Sequence, residues 1–221
     1  MIGIVVALYS EAEKLLEKID NKSQFLLADK MAFKGTISGR EVVVAISGIG
    51  KVSAALTTQK IIDTYSPAYI LNFGTAGGMN KSVEILNYYL VEKCCQFDFD
   101  LRELDGVPLG YIQEYKTAYF PANTNGVDFL QKSILASADR FTNDVNDINS
   151  INEIGCSLRD MEGGAIAQVC LSNNTPLYMI KGITDVYGSG TAQDQFYSNL
   201  KQVGAGFPDV VIKLIETVSN I

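Results

Sequence analysis

The sequence contains no histidine. That absence excludes a Ser-His-Asp or Cys-His catalytic pair and an imidazole zinc site. A general acid or base working near neutral pH must therefore be a tuned carboxylate, lysine, tyrosine or cysteine. Cys94, Cys95, Cys156 and Cys170 show no C-x-x-C spacing, which excludes a zinc ribbon or a thioredoxin-type motif. Positive charge is scarce as well: Lys+Arg 18 against Asp+Glu 25 leaves a net charge of −7 with no basic stripe, so nucleic acid is not an expected partner. No stretch approaches the roughly 18 apolar residues of a membrane span, and the N-terminal apolar run ends at Tyr9 with no basic segment before it. The expectation is a cytoplasmic protein with reduced thiols and no membrane association.

Apolar residues make up 47% and charged residues 19% of 221, the balance of a soluble globular chain with a sizeable core. Length and the lack of an internal linker favour one domain over 1–221. Ile2 to Leu8 reads as a strand buried on both faces, followed by the helix start Ser10-Glu11-x-Glu13. Met31 to Ser38 and Glu41 to Ser47 read as a hairpin joined at Gly39-Arg40. Gly48-Ile49-Gly50 precedes a helix ending before Ser66-Pro67. Tyr69 to Phe73 is a strand running into Gly74-Thr75-Ala76-Gly77-Gly78. Further strands are expected over 88–99, 133–138 and 177–183. The Asn/Asp-rich stretch 143–152 carries Val145, Ile148 and Ile151 in a helical stripe, with a helix after Met161 and a last one over about 193–218 that Pro208 should kink or interrupt. Strands alternating with helices, plus an early hairpin, indicate an α/β fold with a central mixed sheet flanked by helices.

Strand ends rich in Gly, Thr, Glu and Asp gather at one edge of such a sheet, where open α/β folds bind ligands. Three carboxylates lie at these junctions: Glu11, Glu162 and Asp185. The set suits chemistry needing an acid, a base and a hydroxyl-binding carboxylate. Two of them have an ordinary structural alternative, a dipole-complementing first-turn residue for Glu11 and a helix cap for Asp185.

The ordered segments I-G-I-V-V-A-L-Y-S-E, S-G-I-G-K-V-S-A-A-L, N-F-G-T-A-G-G, D-F-D-L, D-M-E-G-G-A-I-A and G-I-T-D-V carry a resemblance over nearly the whole chain. It is to the bacterial 5′-methylthioadenosine/S-adenosylhomocysteine nucleosidases of the nucleoside phosphorylase superfamily. The resemblance implies a nucleoside phosphorylase-like fold, hydrolysis of the N-glycosidic bond of a 5′-thio-substituted adenosine, a role in methionine salvage, a homodimer, and no metal or organic cofactor. It makes Asp185 the acid that protonates adenine N7, a task that needs its pKa raised by burial or a like charge, and Glu11 the base that activates water. Glu162 would hold the ribose hydroxyls, with Met161 beneath the sugar and Thr75 near it. Phe141 would stack on adenine, the Thr142 backbone would meet its edge, and Leu101 would touch it. Leu8, Ile49 and Phe196 would line the 5′-alkylthio pocket, and the aromatics of 111–120 would add to the contact between subunits. Leu104 and Phe97 depart from the family pattern, as does Thr184 before Asp185.

A purine nucleoside phosphorylase would replace water by phosphate and need arginines around the anion. None of Arg40, Arg102, Arg140 and Arg159 sits in a glycine loop at a strand end. Hydrolysis of another adenosine derivative, of futalosine type, uses the same carboxylates. A non-catalytic nucleoside-binding or storage protein would be expected to have lost at least one of them.

Overall fold

Ile4 and Val6 of the first strand pack into one apolar cluster while Val5, between them, packs into another, the period-two alternation of a strand covered on both faces. This architecture comes from a computed structural model that describes residues 1–218. The elements run β1 (Ile2–Val6), α1 (Tyr9–Leu16), β2 (Asp20–Leu27), β3 (Lys30–Ile37), β4 (Arg40–Ile46), α2 (Lys51–Tyr65), β5 (Ile70–Gly78) and β6 (Tyr88–Gln96). They continue with α3 (Arg102–Asp105), β7 (Phe120–Pro121), β8 (Gln131–Ser137), α4 (Val145–Glu153), β9 (Leu158–Asp160), α5 (Gly163–Ser172), β10 (Leu177–Val186) and α6 (Ala192–Val218).

The sheet is mixed. β1 lies between β4 and β5, parallel to both, and the antiparallel β3 and β2 extend the edge beyond β4. At the other end β5 pairs with both β10 and β9, β10 with β6, β6 with β8, and β8 with β9, so these five strands close into a ring. Leu15 and Leu16 of α1 and Val203, Phe207, Val211, Leu214 and Ile215 of α6 cover one face. Ala54 and Ile61 of α2 and Ile166, Ala167 and Cys170 of α5 cover the other. Each fully buried large apolar side chain contributes about 1.5–3 kcal/mol, so these two layers set the fold.

The structure departs from the sequence reading in five places. β2 carries mostly exposed polar residues and pairs only with β3, so it has no apolar alternation to announce it. The glycine run after Phe73 is strand, not loop, and Thr184 and Asp185 likewise lie inside β10. In α4, Ile148 and Ile151 are buried but Val145 is exposed. Pro208 sits within an uninterrupted 27-residue α6. Burial of Phe207, Val211 and Leu214 there outweighs the roughly 3 kcal/mol that an internal proline costs.

Candidate active site

Glu11 lies in the first turn of α1 and is 2% exposed. Its Oε2 accepts the Leu8 N–H at 3.1 Å, so it caps its own helix. Its Oε1 accepts both the backbone N–H and the hydroxyl of Thr75 on β5, each at 2.7 Å. The carboxylate that caps the helix is therefore also part of the cavity wall. Burial pushes its pKa up, against the Thr75 and Leu8 hydrogen bonds and the Lys181 charge, which pull it down. The close approach depends on Gly74, where a Cβ would stand 3.3 Å from Oε1.

Asp185 is carried by β10, opposite Gly77 of β5, just past a register shift that follows Ile183. Such a bulge re-aims successive side chains, and Thr184 and Asp185 both reach the same cavity. Asp185 is 1% exposed; its Oδ1 accepts the Thr184 hydroxyl at 2.8 Å and its Oδ2 accepts Nη2 of Arg159 at 3.0 Å. The expected partner was burial or a like charge, and burial is present. The charge beside Asp185 is a cation. Gly77 makes room for this pair, since a Cβ there would lie 2.7 Å from Arg159 Nε and 2.8 Å from Asp185 Oδ2.

Glu162 is the residue before α5, and its Oε1 accepts the N–H of Gly50, the residue before α2, at 2.8 Å. Burial and the neighbouring Asp160 push its pKa up to about 7. Lys181 of β10, 1% exposed, forms an ion pair with Asp160 at 2.9 Å. Burial alone would pull its ammonium pKa down, but Asp160, Glu162 and Glu11 together hold it above its ordinary value. A buried cation facing three carboxylates is electrostatically what the cluster requires.

These groups line one cavity of about 360 Å³. Leu8, Ile49, Thr75, Phe141, Thr142, Met161 and Phe196 share its wall with Glu11, Glu162 and Asp185. Phe141 meets Phe196 edge-on at 6.0 Å, which makes one end aromatic and apolar. Leu101 is the exception: it does not line the cavity but precedes α3. Arg102 beside it bonds Asp100 and pairs with Glu153 at 3.0 Å. Arg140, Arg159, Asp160 and Lys181 also line the cavity and were not singled out as site residues. Lys181 had a visible signal, a lone charge within the apolar run Leu177 to Ile183. Arg159 had none, because its partner is set by strand pairing.

Fold and site together define an α/β protein whose cavity is lined by three buried carboxylates and closed at one end by aromatic, apolar side chains. The chain matches the family model described as the phosphorylase superfamily over residues 1–216. It is 32% identical over 203 residues to the 5′-methylthioadenosine/S-adenosylhomocysteine nucleosidase of Halalkalibacterium halodurans, covering 85% of this chain and 86% of that one. A solved nucleosidase of the same name from Colwellia psychrerythraea, in complex with adenine, superposes with a TM-score of 0.89 at 26% identity, covering 98% and 94% of the two chains. The futalosine hydrolase of Helicobacter pylori superposes with a TM-score of 0.87 at 26% identity, covering 100% and 97%. The chain belongs to the phosphorylase superfamily and, within it, to the 5′-methylthioadenosine/S-adenosylhomocysteine nucleosidase family.

Proposed function

We propose that this protein hydrolyses the N-glycosidic bond of 5′-methylthioadenosine, S-adenosylhomocysteine or both, releasing adenine and the 5′-thio-substituted ribose. The observation that carries this reading is the convergence of Glu11, Glu162 and Asp185 on one cavity with an aromatic, apolar end. The expected single domain over 1–221 then corresponds to one nucleoside phosphorylase-like domain over residues 1–218, with 219–221 lying outside the described residues.

In this mechanism the C1′–N9 bond breaks with oxocarbenium character, and water adds to C1′ while its proton passes to Glu11. Burial raises the basicity of Glu11, and the Thr75 and Leu8 N–H groups fix the carboxylate in place. The electron pair leaves with the base, which takes up a proton at N7 from Asp185. Glu162 accepts the ribose hydroxyls above Met161, and Leu8, Ile49 and Phe196 surround the 5′-alkylthio group.

Phosphorolysis would need an uncommitted cation for phosphate. The two arginines in the wall are engaged: Arg140 with Asp147, Arg159 with Asp185. Water as the acceptor is therefore favoured.

A homodimer is supported by exposed apolar side chains on and before α2, with Ile49, Val52 and Leu56 at 57%, 71% and 65% exposure. Ile49 also lines the cavity, so a partner here would help close the 5′ end. The 111–120 aromatics are a poorer candidate, since Phe120 is fully buried in the chain's own core. Four unpaired, buried cysteines fit a reducing cytoplasm. The deciding experiment is release of adenine from each nucleoside with and without phosphate, with the sugar product identified. Phosphate-independent release of the free sugar is expected, and release of a sugar 1-phosphate only in the presence of phosphate would overturn hydrolysis.

A further inference from the structure

Two consecutive N–H groups at the start of α2 hold two different walls of the cavity. The Gly50 N–H donates to Glu162 Oε1 at 2.8 Å, and the Lys51 N–H donates to Asp139 Oδ1 at 2.7 Å. Gly50 stands at φ +97°, a backbone that favours glycine, and a Cβ there would lie 3.1 Å from Asp139 Oδ1. An aspartate at this place also meets the positive end of the helix dipole.

The Lys51 side chain closes a ring. Its Nζ donates to Asp98 Oδ1 at 2.5 Å, and Asp98 Oδ2 accepts the Asp139 N–H at 3.0 Å, so the bonds lead back to the aspartate that holds the Lys51 N–H. The two side chains of the ion pair are only 17% and 14% exposed, which limits screening by water and salt. Lys51 belongs to the segment S-G-I-G-K-V and Asp98 to D-F-D-L, and neither acts in the proposed hydrolysis. None of the three ring residues lines the cavity, yet each is close in the chain to one that does. Ile49 is two residues before Lys51, Phe97 precedes Asp98, and Arg140 and Phe141 follow Asp139.

We propose that Lys51 is a positioning residue: through Asp98 its ammonium seats the 139–142 loop on the start of α2 and so fixes Phe141 and the Thr142 backbone relative to Glu162 and Ile49. The proposal rests on the reading of this cavity as an adenine-releasing site and assigns what holds its base wall against its ribose wall. The two catalytic carboxylates are tied down elsewhere, Glu11 by Leu8 and Thr75, and Asp185 by Thr184 and Arg159. Loosening the ring therefore removes binding that ground state and transition state share, which raises KM and leaves kcat.

Calorimetric titration of free adenine, alongside kcat and KM for 5′-methylthioadenosine, tests this on the wild type and four variants. Lys51→Met should weaken adenine binding and raise KM by about tenfold, within the loss that a shift of about 1 Å in a binding group produces, with kcat held within about threefold. Asp98→Asn should move the same two constants in the same direction by less, because an amide oxygen still accepts the Asp139 N–H. Lys51→Arg keeps a charged donor for Asp98 and should stay within about threefold of the wild type. The double variant Lys51→Met, Asp98→Asn should bind adenine no more weakly than Lys51→Met alone, since both changes act through one ring. A residue that only stabilised the fold would lower the urea midpoint and leave adenine affinity and KM unchanged. That result overturns the proposal, as does a fall in kcat at constant KM or effects that multiply in the double variant. If Lys51→Met does not fold, weaker adenine binding by Asp98→Asn with near-wild-type binding by Lys51→Arg supports the ring, and any other pair of results overturns it. A wild type that binds adenine in a Lys51-dependent way but hydrolyses neither nucleoside supports the ring and sinks the nucleosidase activity, whereas a wild type that binds no adenine overturns the ring.

Discussion

Glu11 and Asp185 are both buried carboxylates, yet their surroundings differ in sign and kind. Glu11 accepts three hydrogen bonds from neutral donors, whereas Asp185 accepts one from Thr184 and one from a guanidinium. Glu11→Gln keeps the shape of the base but not its basicity, so nucleoside binding should persist while turnover falls about two to four orders of magnitude. Equilibrium binding compared with kcat checks this. Asp185→Asn should cost a similar factor in kcat with the fold retained by circular dichroism, and near-normal turnover would refute its role as acid. Glu162 offers a stability test. Its pKa is pushed up to about 7 from 4.5, so the folded chain holds that proton more tightly than the unfolded chain does. The stabilisation is complete below about 4.5 and is lost as pH rises through about 7. Urea midpoints should therefore fall between pH 5 and 7.5 in the wild type, and this dependence should flatten in Glu162→Gln.

At the scale of elements, the site depends on how the short β9 is tied to its neighbours. Ser137, at the end of β8, is fully buried; its hydroxyl donates to Asp160 of β9 and accepts the Gly164 N–H of α5 at 2.7 Å. Asp160 in turn holds Lys181 of β10 and the Gly163 N–H. Ser137→Ala leaves a buried N–H and a buried carboxylate each short of a partner, and should destabilise the chain by about 1–3 kcal/mol in urea denaturation. β1 was legible because a strand covered on both faces is a continuous run of apolar, β-branched residues, and α4 because Ile148 and Ile151 recur at helical spacing where one face meets a core. β2 was not, because an exposed edge strand has no buried face to shape its composition. The strand assignment of Gly74 to Gly78 escaped notice for the opposite reason: glycine has low strand preference, and here close approach of Glu11, Arg159 and Asp185 requires it.

For the whole molecule, the exposed apolar row on α2 leads to a quaternary prediction. Val52 and Leu56 are four residues apart on one helix face and lie beyond Ile49, which borders the cavity. The wild type should sediment as a dimer and a double Val52→Lys, Leu56→Lys variant as a monomer. Its KM for the alkylthio nucleoside should rise, because the partner no longer helps close the 5′ end. A monomeric wild type at micromolar concentration would overturn the dimer.

What the sequence by itself determined is the alternation of elements, the junctions that carry Glu11, Glu162 and Asp185, and, through its motifs, the family. Those features are local, since they follow from periodicity and from residue types at strand ends. The tertiary structure alone decided which charges face each other. Arg159 and Asp185 are 26 positions apart and meet because β9 and β10 both pair with β5, which places Gly77 between them. Lys181 likewise reaches Asp160 across the closed ring. A pairing of this kind depends on strand order, register and a bulge after Ile183, none of which leaves a local mark in the chain. The carboxylates were therefore readable in advance, whereas the cations that strand pairing sets beside them were not.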